Sequence, residues 1–300
     1  MTEVKKIVLF QDVAYKYPAG NNALEKIRLE ISTGEILGLV GANGSGKTTF
    51  LKILAGQLEK TDGTLLIQGR PIEEFTPSRL SEMITLLEQN PENQMIGPTV
   101  EDELARACRM NGLEGRPIRD KVEQVLSLVG MKQAKDWFLE EMSCGEKRRI
   151  ALALAMISDP VLILLDEPLA DLDPKGIEDT LTLLIELKHR GIALLIASHK
   201  MEDILGIVDR LVLLKEGKIL YDDRTQKVLA QVETQDLLKP YIPEMQRLYL
   251  ELRKEGLLPN TGTIPLTFSD TFSALKKALR KKAGDPDTTV LSVTAIAALL

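Results

Sequence analysis

The segment Gly41-Ala42-Asn43-Gly44-Ser45-Gly46-Lys47-Thr48-Thr49 lies between an apolar run, Glu35 to Val40, and a helix-favouring stretch, Thr49 to Ala55, that Gly56 can cap. It commits the chain to a strand, loop and helix in that order, because glycines let successive backbone N–H groups turn inward around one anion. Lys47 supplies a cation for the β and γ phosphates, and the Thr48 hydroxyl suits Mg²⁺. The expected ligand is therefore a nucleoside triphosphate with Mg²⁺, held by Asn43, Gly44, Ser45, Gly46, Lys47, Thr48 and Thr49. A glycine-rich turn that fits by chance is the bland alternative, and the flanking strand and helix weigh against it.

Two further apolar runs, Val161 to Leu165 and Ile192 to Ile196, read as parallel strands buried on both faces. Between them a helix opens at Asp173-Pro174 and closes at Lys188-His189-Arg190-Gly191, with cations on the dipole and a glycine cap. The first of these strands ends in Asp166-Glu167. Alternation along a strand sends the two carboxylates in different directions, so Asp166 can hold Mg²⁺ while Glu167 faces the γ-phosphate and polarises a water. The second strand delivers His199 to the same carboxyl edge, within reach of the γ-phosphate. His189 sits in a basic helix end and reads as a solvated terminus. Gln89 ends the run Ile84 to Gln89 and can leave a strand end toward the metal and the attacking water, although a glutamine before a loop means little by itself. Tyr17 closes the first strand and either stacks on adenine or packs on the core.

Strand-like runs at Ile7 to Tyr17, Ala23 to Ile31 and Gly63 to Gln68 predict an antiparallel sheet beside the nucleotide core. From Thr99 to about Ile157 the periodicity turns helical, with a capping signal at Thr99 and Gly130 closing the helix Arg116 to Val129, as expected of an inserted lobe. Arg210 to Leu220 reads as a hairpin around Glu216-Gly217. After about Gln226 the motifs stop. The remainder of the chain is helical and loop-rich, interrupted by Pro240, Pro243 and Pro259, with a last helix capped near Thr267 and basic at Arg280-Lys281-Lys282. The expected organisation is a nucleotide-hydrolysing domain over 1–225, a helical insert at about 95–157, and an accessory region over 226–300. The net charge of −6 argues against general nucleic-acid binding. No segment approaches the roughly 20 apolar residues that cross a bilayer, and Gln11-Asp12 ends the N-terminal apolar run far short of a signal peptide. A soluble chain, cytoplasmic or peripheral to a membrane protein, is expected. Cys108 and Cys144 lie far apart without metal-type spacing.

Met142-Ser143-Cys144-Gly145-Glu146-Lys147-Arg148-Arg149 is locally a capping box, Ser143 at the N-cap and Glu146 three residues on, at a helix end that could meet phosphate oxygens. With it the set resembles the ATP-binding cassette family: the phosphate loop, the Gln89 loop, this equivalent of LSGGQ, Leu165-Asp166-Glu167-Pro168, Ala170-Asp171-Leu172-Asp173 and His199, in order over roughly residues 3 to 225. The resemblance implies an α/β fold, a P-loop NTPase cassette with a mostly parallel core sheet, an antiparallel β subdomain, an inserted helical subdomain and a C-terminal helical extension. It also implies a head-to-tail pair in which Ser143 and Gly145 act on the partner's ATP, with Asp173 among the nucleotide-contacting residues. Closure on ATP and opening after hydrolysis would drive a transmembrane protein.

Tyr17-Pro18, Gln89-Asn90-Pro91 with Gln94, Thr99 to Glu103, Gly256-Leu257-Leu258-Pro259 and Pro265-Leu266-Thr267 look like the ATPase subunits of energy-coupling factor importers of vitamins or transition-metal ions. That likeness implies an integral coupling protein, a substrate-binding membrane protein and a place at the cytoplasmic face. The chain departs from the family at Cys144 for a glycine, Glu146 for Gln, Glu103 for Asp, and Leu169 and Asp171 for Thr and Gly. A heterodimer is favoured, its weaker ATP site being the one Cys144 completes, with a homodimer as the alternative. Other transporter classes of the family remain in view. A soluble cassette ATPase of DNA repair or ribosomes fits less well, for want of a tandem cassette, a long coiled-coil or zinc insertion, or a basic extension. A regulatory module without turnover is opposed by Glu167.

Overall fold

The computed structural model describes residues 5–90, 95–231, 242–256, 258 and 263–282, and the side chains only as far as residue 276 within the last helix. They form two compact units, one of residues 1–199 with 207–223, the other of residues 200–206 with 224–300.

The first unit is built on a six-stranded sheet in the order β10-β9-β3-β8-β7-β6. Its members are β3 (Ile36–Val40), β6 (Ile84–Leu87), β7 (Leu162–Asp166), β8 (Ala193–Ser198), β9 (Arg210–Lys215) and β10 (Lys218–Arg224). From β9 to β6 every neighbouring pair is parallel. Every residue of β3 and β8 is buried, as a strand covered on both faces requires. Each such Leu or Ile contributes about 1.5–3 kcal/mol by leaving water. The register sets Val40 beside Ser198 and Asp166 beside Ala197, so β3, β7 and β8 end at one level. The β9–β10 hairpin turns on Glu216 and Gly217, both at positive φ (49° and 76°), the type I′ geometry that matches strand twist.

A second, antiparallel sheet, order β2-β1-β4-β5, holds β1 (Lys6–Lys16), β2 (Asn22–Ser32), β4 (Asp62–Ile67) and the short β5 (Arg70–Pro71). Its apolar residues join β3, β7 and β8 and the helix α1 (Lys47–Leu54) in one core, where Phe10 stacks on Phe50 at 4.6 Å. Helix α2 (Pro77–Met83) leads into β6, and α6 (Pro174–His189) links β7 to β8. The expected mixture of parallel core, antiparallel sheet and helical insert is what the chain forms.

The insert packs α3 (Val100–Met110), α4 (Arg116–Leu128) and α5 (Cys144–Ala155) through Leu104, Cys108, Val122, Val125 and Leu126. Thr99 caps α3, its hydroxyl accepting from the Asp102 N–H. Glu103 is wholly buried and accepts from the N–H groups of Ile96 (3.0 Å) and Gly97 (2.6 Å) as well as from Arg106. Burial alone raises this carboxyl. The Arg106 guanidinium and the two amides outweigh it and hold Glu103 below the usual carboxylate range. Glu103→Ala should therefore cost roughly 2 to 3 kcal/mol, because it strands two amides and a guanidinium. The contribution is present above the ordinary carboxylate pKa and lost as the pH falls through the lowered folded-state value. Urea unfolding at pH 7 and at acid pH checks both points; an unchanged midpoint at pH 7 would rule the latch out.

In the second unit lie α7 (Met201–Ile204), α8 (Thr225–Gln231), α9 (Glu244–Lys254) and α10 (Phe268–Lys282). The Gln226 side chain both donates to and accepts from the Ile264 backbone, and buried Gln246 donates to the carbonyls of Pro265 and Leu266. Thr267 caps α10 by accepting from the Asp270 N–H. Pro243 opens α9, whereas Pro240, Leu257 and Pro259, like Pro91 and Gln94, lie outside the described residues. Among the described residues no helix is long and apolar enough to cross a membrane.

Candidate functional site

The glycine-rich loop leaves β3 and runs into α1, whose N-cap is Gly46 at φ 107°. Two of its glycines are sterically obligatory. A Cβ on Gly41 would stand 2.3 Å from the Leu214 carbonyl oxygen, and one on Gly46 2.5 Å from that of Ala23. Asn43, Gly44 and Thr48 are exposed at the mouth of the loop, and Gly44 takes φ 78°. The hairpin tip braces the loop from behind: Gly217 N–H donates to the Ser45 carbonyl, and the Gly217 carbonyl accepts from Glu25. Lys47, only 7% exposed, donates to the carbonyls of Gly41 (2.7 Å) and Ala42 (3.2 Å). Burial lowers its pKa, and the charges of Glu167 and Asp166 pull the other way. Ser45 Oγ is buried with no hydrogen-bond partner, an orphaned donor inside a loop shaped for an anion. Such a loop fits phosphate oxygens.

The aligned strand ends bring the acidic residues to this loop. Thr48 Oγ1 donates to Asp166 Oδ2 at 2.9 Å. Burial pushes the Asp166 carboxyl above its ordinary range; Glu167 and Glu88 add to the rise against Thr48 and Lys47. Hydroxyl and carboxylate oxygen are the hard donors Mg²⁺ takes. Among the described residues no group of three or more His, Cys, Asp or Glu could hold a metal ion.

Glu167 is where the structure corrects the strand argument. β7 ends at Asp166, and Glu167 turns at φ 48°, so a left-handed backbone rather than strand alternation separates the two carboxylates. A bulky residue there is strained, and residues 198 and 199 hold it in place. Glu167 Oε1 accepts from the His199 N–H (2.9 Å) and meets His199 Nδ1 (2.8 Å), while Ser198 Oγ donates to Oε2 (3.3 Å). His199 thus stands at the expected edge but with Nδ1 on the carboxylate, which assigns any phosphate contact to Nε2. Ser198 is a neighbour of Glu167 that sequence reasoning missed; only the β7–β8 register reveals it.

Tyr17 lies just past β1, 40% exposed, with its hydroxyl 3.0 Å from Thr49 Oγ1. Tyr15, not Tyr17, is the core aromatic, packed edge-on against it at 4.9 Å. Gln89 is exposed two residues beyond the end of β6, which stops at Leu87 rather than running to Gln89 as expected.

Ser143, Gly145 and Asp173 form a different constellation. They line a cavity of about 320 Å³ with Cys144, Glu146 and Asp171. Ser143 caps α5 in a full capping box, and Glu146 Oε2 accepts from both the Ser143 N–H (2.9 Å) and its hydroxyl (2.8 Å). Those backbone and side-chain bonds from Ser143 hold Glu146 below the usual carboxylate range. Asp173 caps α6, accepting from Gly176 N–H at 2.7 Å. Asp171 sits at φ 61°, left-handed backbone that Asp tolerates better than most residues.

A family model described as ABC transporter matches residues 24–170. The energy-coupling factor transporter ATP-binding protein EcfA2 of Clostridium perfringens is 34% identical over 271 residues, 88% of this chain and 94% of that protein. EcfA of Methanocaldococcus jannaschii is 31% identical over 255 residues, 84% of this chain and 91% of that protein. Among solved structures, cbiO1 from Clostridium perfringens, described as part of the ABC transporter complex cbiONQ, aligns with a TM-score of 0.73 at 28% identity, over 84% of this chain and 98% of that one.

Proposed function

The chain belongs to the ATP-binding cassette transporter family, and we propose that it is the ATP-hydrolysing subunit of an energy-coupling factor type importer of a vitamin or transition-metal ion. The observation that carries this reading is Glu167, fixed by Ser198 and His199 at the strand edge that also holds Lys47, Thr48 and Asp166. Relatives named as energy-coupling factor ATP-binding proteins, matched over most of both chains, support the transporter class.

In the proposed mechanism the loop amides and Lys47 hold the β and γ phosphates, Tyr17 stacks on the base, and Thr48, Asp166 and Gln89 would hold Mg²⁺. When bound, that ion neutralises charge on the phosphate oxygens. Glu167 accepts a proton from the water whose oxygen bonds to the γ-phosphorus as the bond to the β–γ bridging oxygen breaks. His199 Nε2 contacts the γ-phosphate, and Nδ1 keeps the base in position. The domain plan proposed with it is 1–225 with a helical insert at about 95–157 and an accessory region over 226–300, with residues 200–206 clustering with the latter.

Ser143 and Gly145 serve the nucleotide of a second cassette subunit, and an integral coupling protein with a substrate-binding membrane protein completes a complex at the cytoplasmic face. Glu146 supports a heterodimer. Its carboxylate takes up the Ser143 donors and places a negative charge where the partner's γ-phosphate would approach, which makes this the weaker half-site. Glu146→Gln should raise the ATPase rate of the chain alone about fivefold, the worth of roughly 1 kcal/mol of repulsion between two water-screened negative charges; an unchanged rate would remove the charge argument. Cys144, exposed beside these donors, should react with a maleimide with loss of activity, and ATP should protect it. Labelling indifferent to nucleotide would displace this face from the ATP sandwich. Co-purification from membranes tests the whole proposal: an integral coupling protein supports it, ribosomes or DNA overturn it.

A further inference from the structure

Arg148 stands in α5, five residues after the N-cap Ser143, and is 6% exposed. Its guanidinium donates to two backbone carbonyls on separate segments, Gln89 at 2.9 Å and Ala170 at 3.3 Å. Both belong to loops that leave neighbouring strands. β6 and β7 pair in parallel up to Leu87 and Leu165, so the two loops leave the sheet at neighbouring strand ends. Ala170 closes the turn that starts at Glu167, its N–H donating to the Glu167 carbonyl. Among the described residues the β6–β7 pairing ends at Leu87 and Leu165, and beyond it the planar five-donor fork of one arginine spans the two loops.

We propose that Arg148 is a positioning residue for ATP hydrolysis: it fixes the Gln89 loop against the turn that carries Glu167 and ties both to the helix that begins at Ser143. Resting on the ATPase reading, it adds a link between the residue orienting the water, the residue taking its proton, and the helix offered to the partner. The chemistry selects arginine. A lysine in its place keeps the charge but reaches one carbonyl at a time.

The test uses the full-length chain with Arg148→Lys and Arg148→Met. R148K should melt within about 3 °C of wild type and keep its KM for ATP, while kcat falls about tenfold to a hundredfold, the effect of roughly an ångström of misplacement. Gln89→Ala alone should lower kcat. Added to R148K it should cost less than about twofold more, because the two act as a unit. Backbone amides at 88–90 and 170–172 should exchange with deuterium about tenfold faster in R148K while β3 and β8 stay protected. Wild-type kcat with unaltered exchange in R148K, or losses for Q89A and R148K that multiply independently, would overturn the proposal. A wild-type chain inert toward ATP both alone and with its partner cassette subunit would sink the function proposal instead, and the exchange measurement would still decide whether Arg148 joins the two loops. If R148M fails to fold, R148K carries the test alone.

Discussion

Glu167→Gln should bind ATP with wild-type affinity and turn it over about a thousandfold more slowly. Glutamine keeps the shape and can still accept the His199 N–H through its carbonyl oxygen, so phosphate-loop geometry has no reason to change. What disappears is the acceptor for the water proton. The left-handed backbone at this position makes the effect hard to rescue, because the clamp from Ser198 and His199 leaves a neighbouring carboxylate no freedom to move in. Phosphate release and an equilibrium binding titration, run on the same preparation, separate the two effects. A mutant that hydrolyses within about tenfold of wild type would hand the base role to another group.

Lys47→Met comes second in size and acts on the opposite half of the cycle. It should weaken ATP binding at least about a hundredfold, the cost of removing a charge-assisted contact in a desolvated loop. The folded chain should tolerate it. Lys47 is buried against the carbonyls of Gly41 and Ala42, and burial already disfavours its charge, so an apolar stem of similar length leaves the melting temperature within about 3 °C. Isothermal titration with thermal melting decides between a binding defect and misfolding. An undiminished affinity would mean that the loop amides alone hold the triphosphate.

What the sequence made legible was local. The glycine-rich loop, the capping box at Ser143, the proline start of α6 and the Glu216-Gly217 hairpin each declare themselves within about ten residues, through backbone requirements few residue types meet. The apolar run Ile192 to Ile196 pointed to a buried parallel strand because it is short and continuous, and β8 (Ala193–Ser198) covers most of it. The features that escaped depend on contacts between segments far apart in the chain. The clamp of Ser198 on Glu167, the hydroxyl contact of Tyr17 with Thr49, and the reach of Arg148 to Gln89 and Ala170 join residues 31, 32, 59 and 22 positions apart. The direction of Glu167 escaped for another reason: alternation holds only while a strand lasts, and β7 is one residue too short.

The tip at Gly217 is a remote support for the grip on phosphate. A Cβ there would lie 2.7 Å from the Ala23 carbonyl oxygen, and the tip's N–H is what steadies Ser45. Any side chain introduced at that turn would slacken the nucleotide cradle from behind. A lesion far from the reacting atoms would then masquerade as a loss of ATP affinity, and a screen for weak binders should expect to find hits in the hairpin.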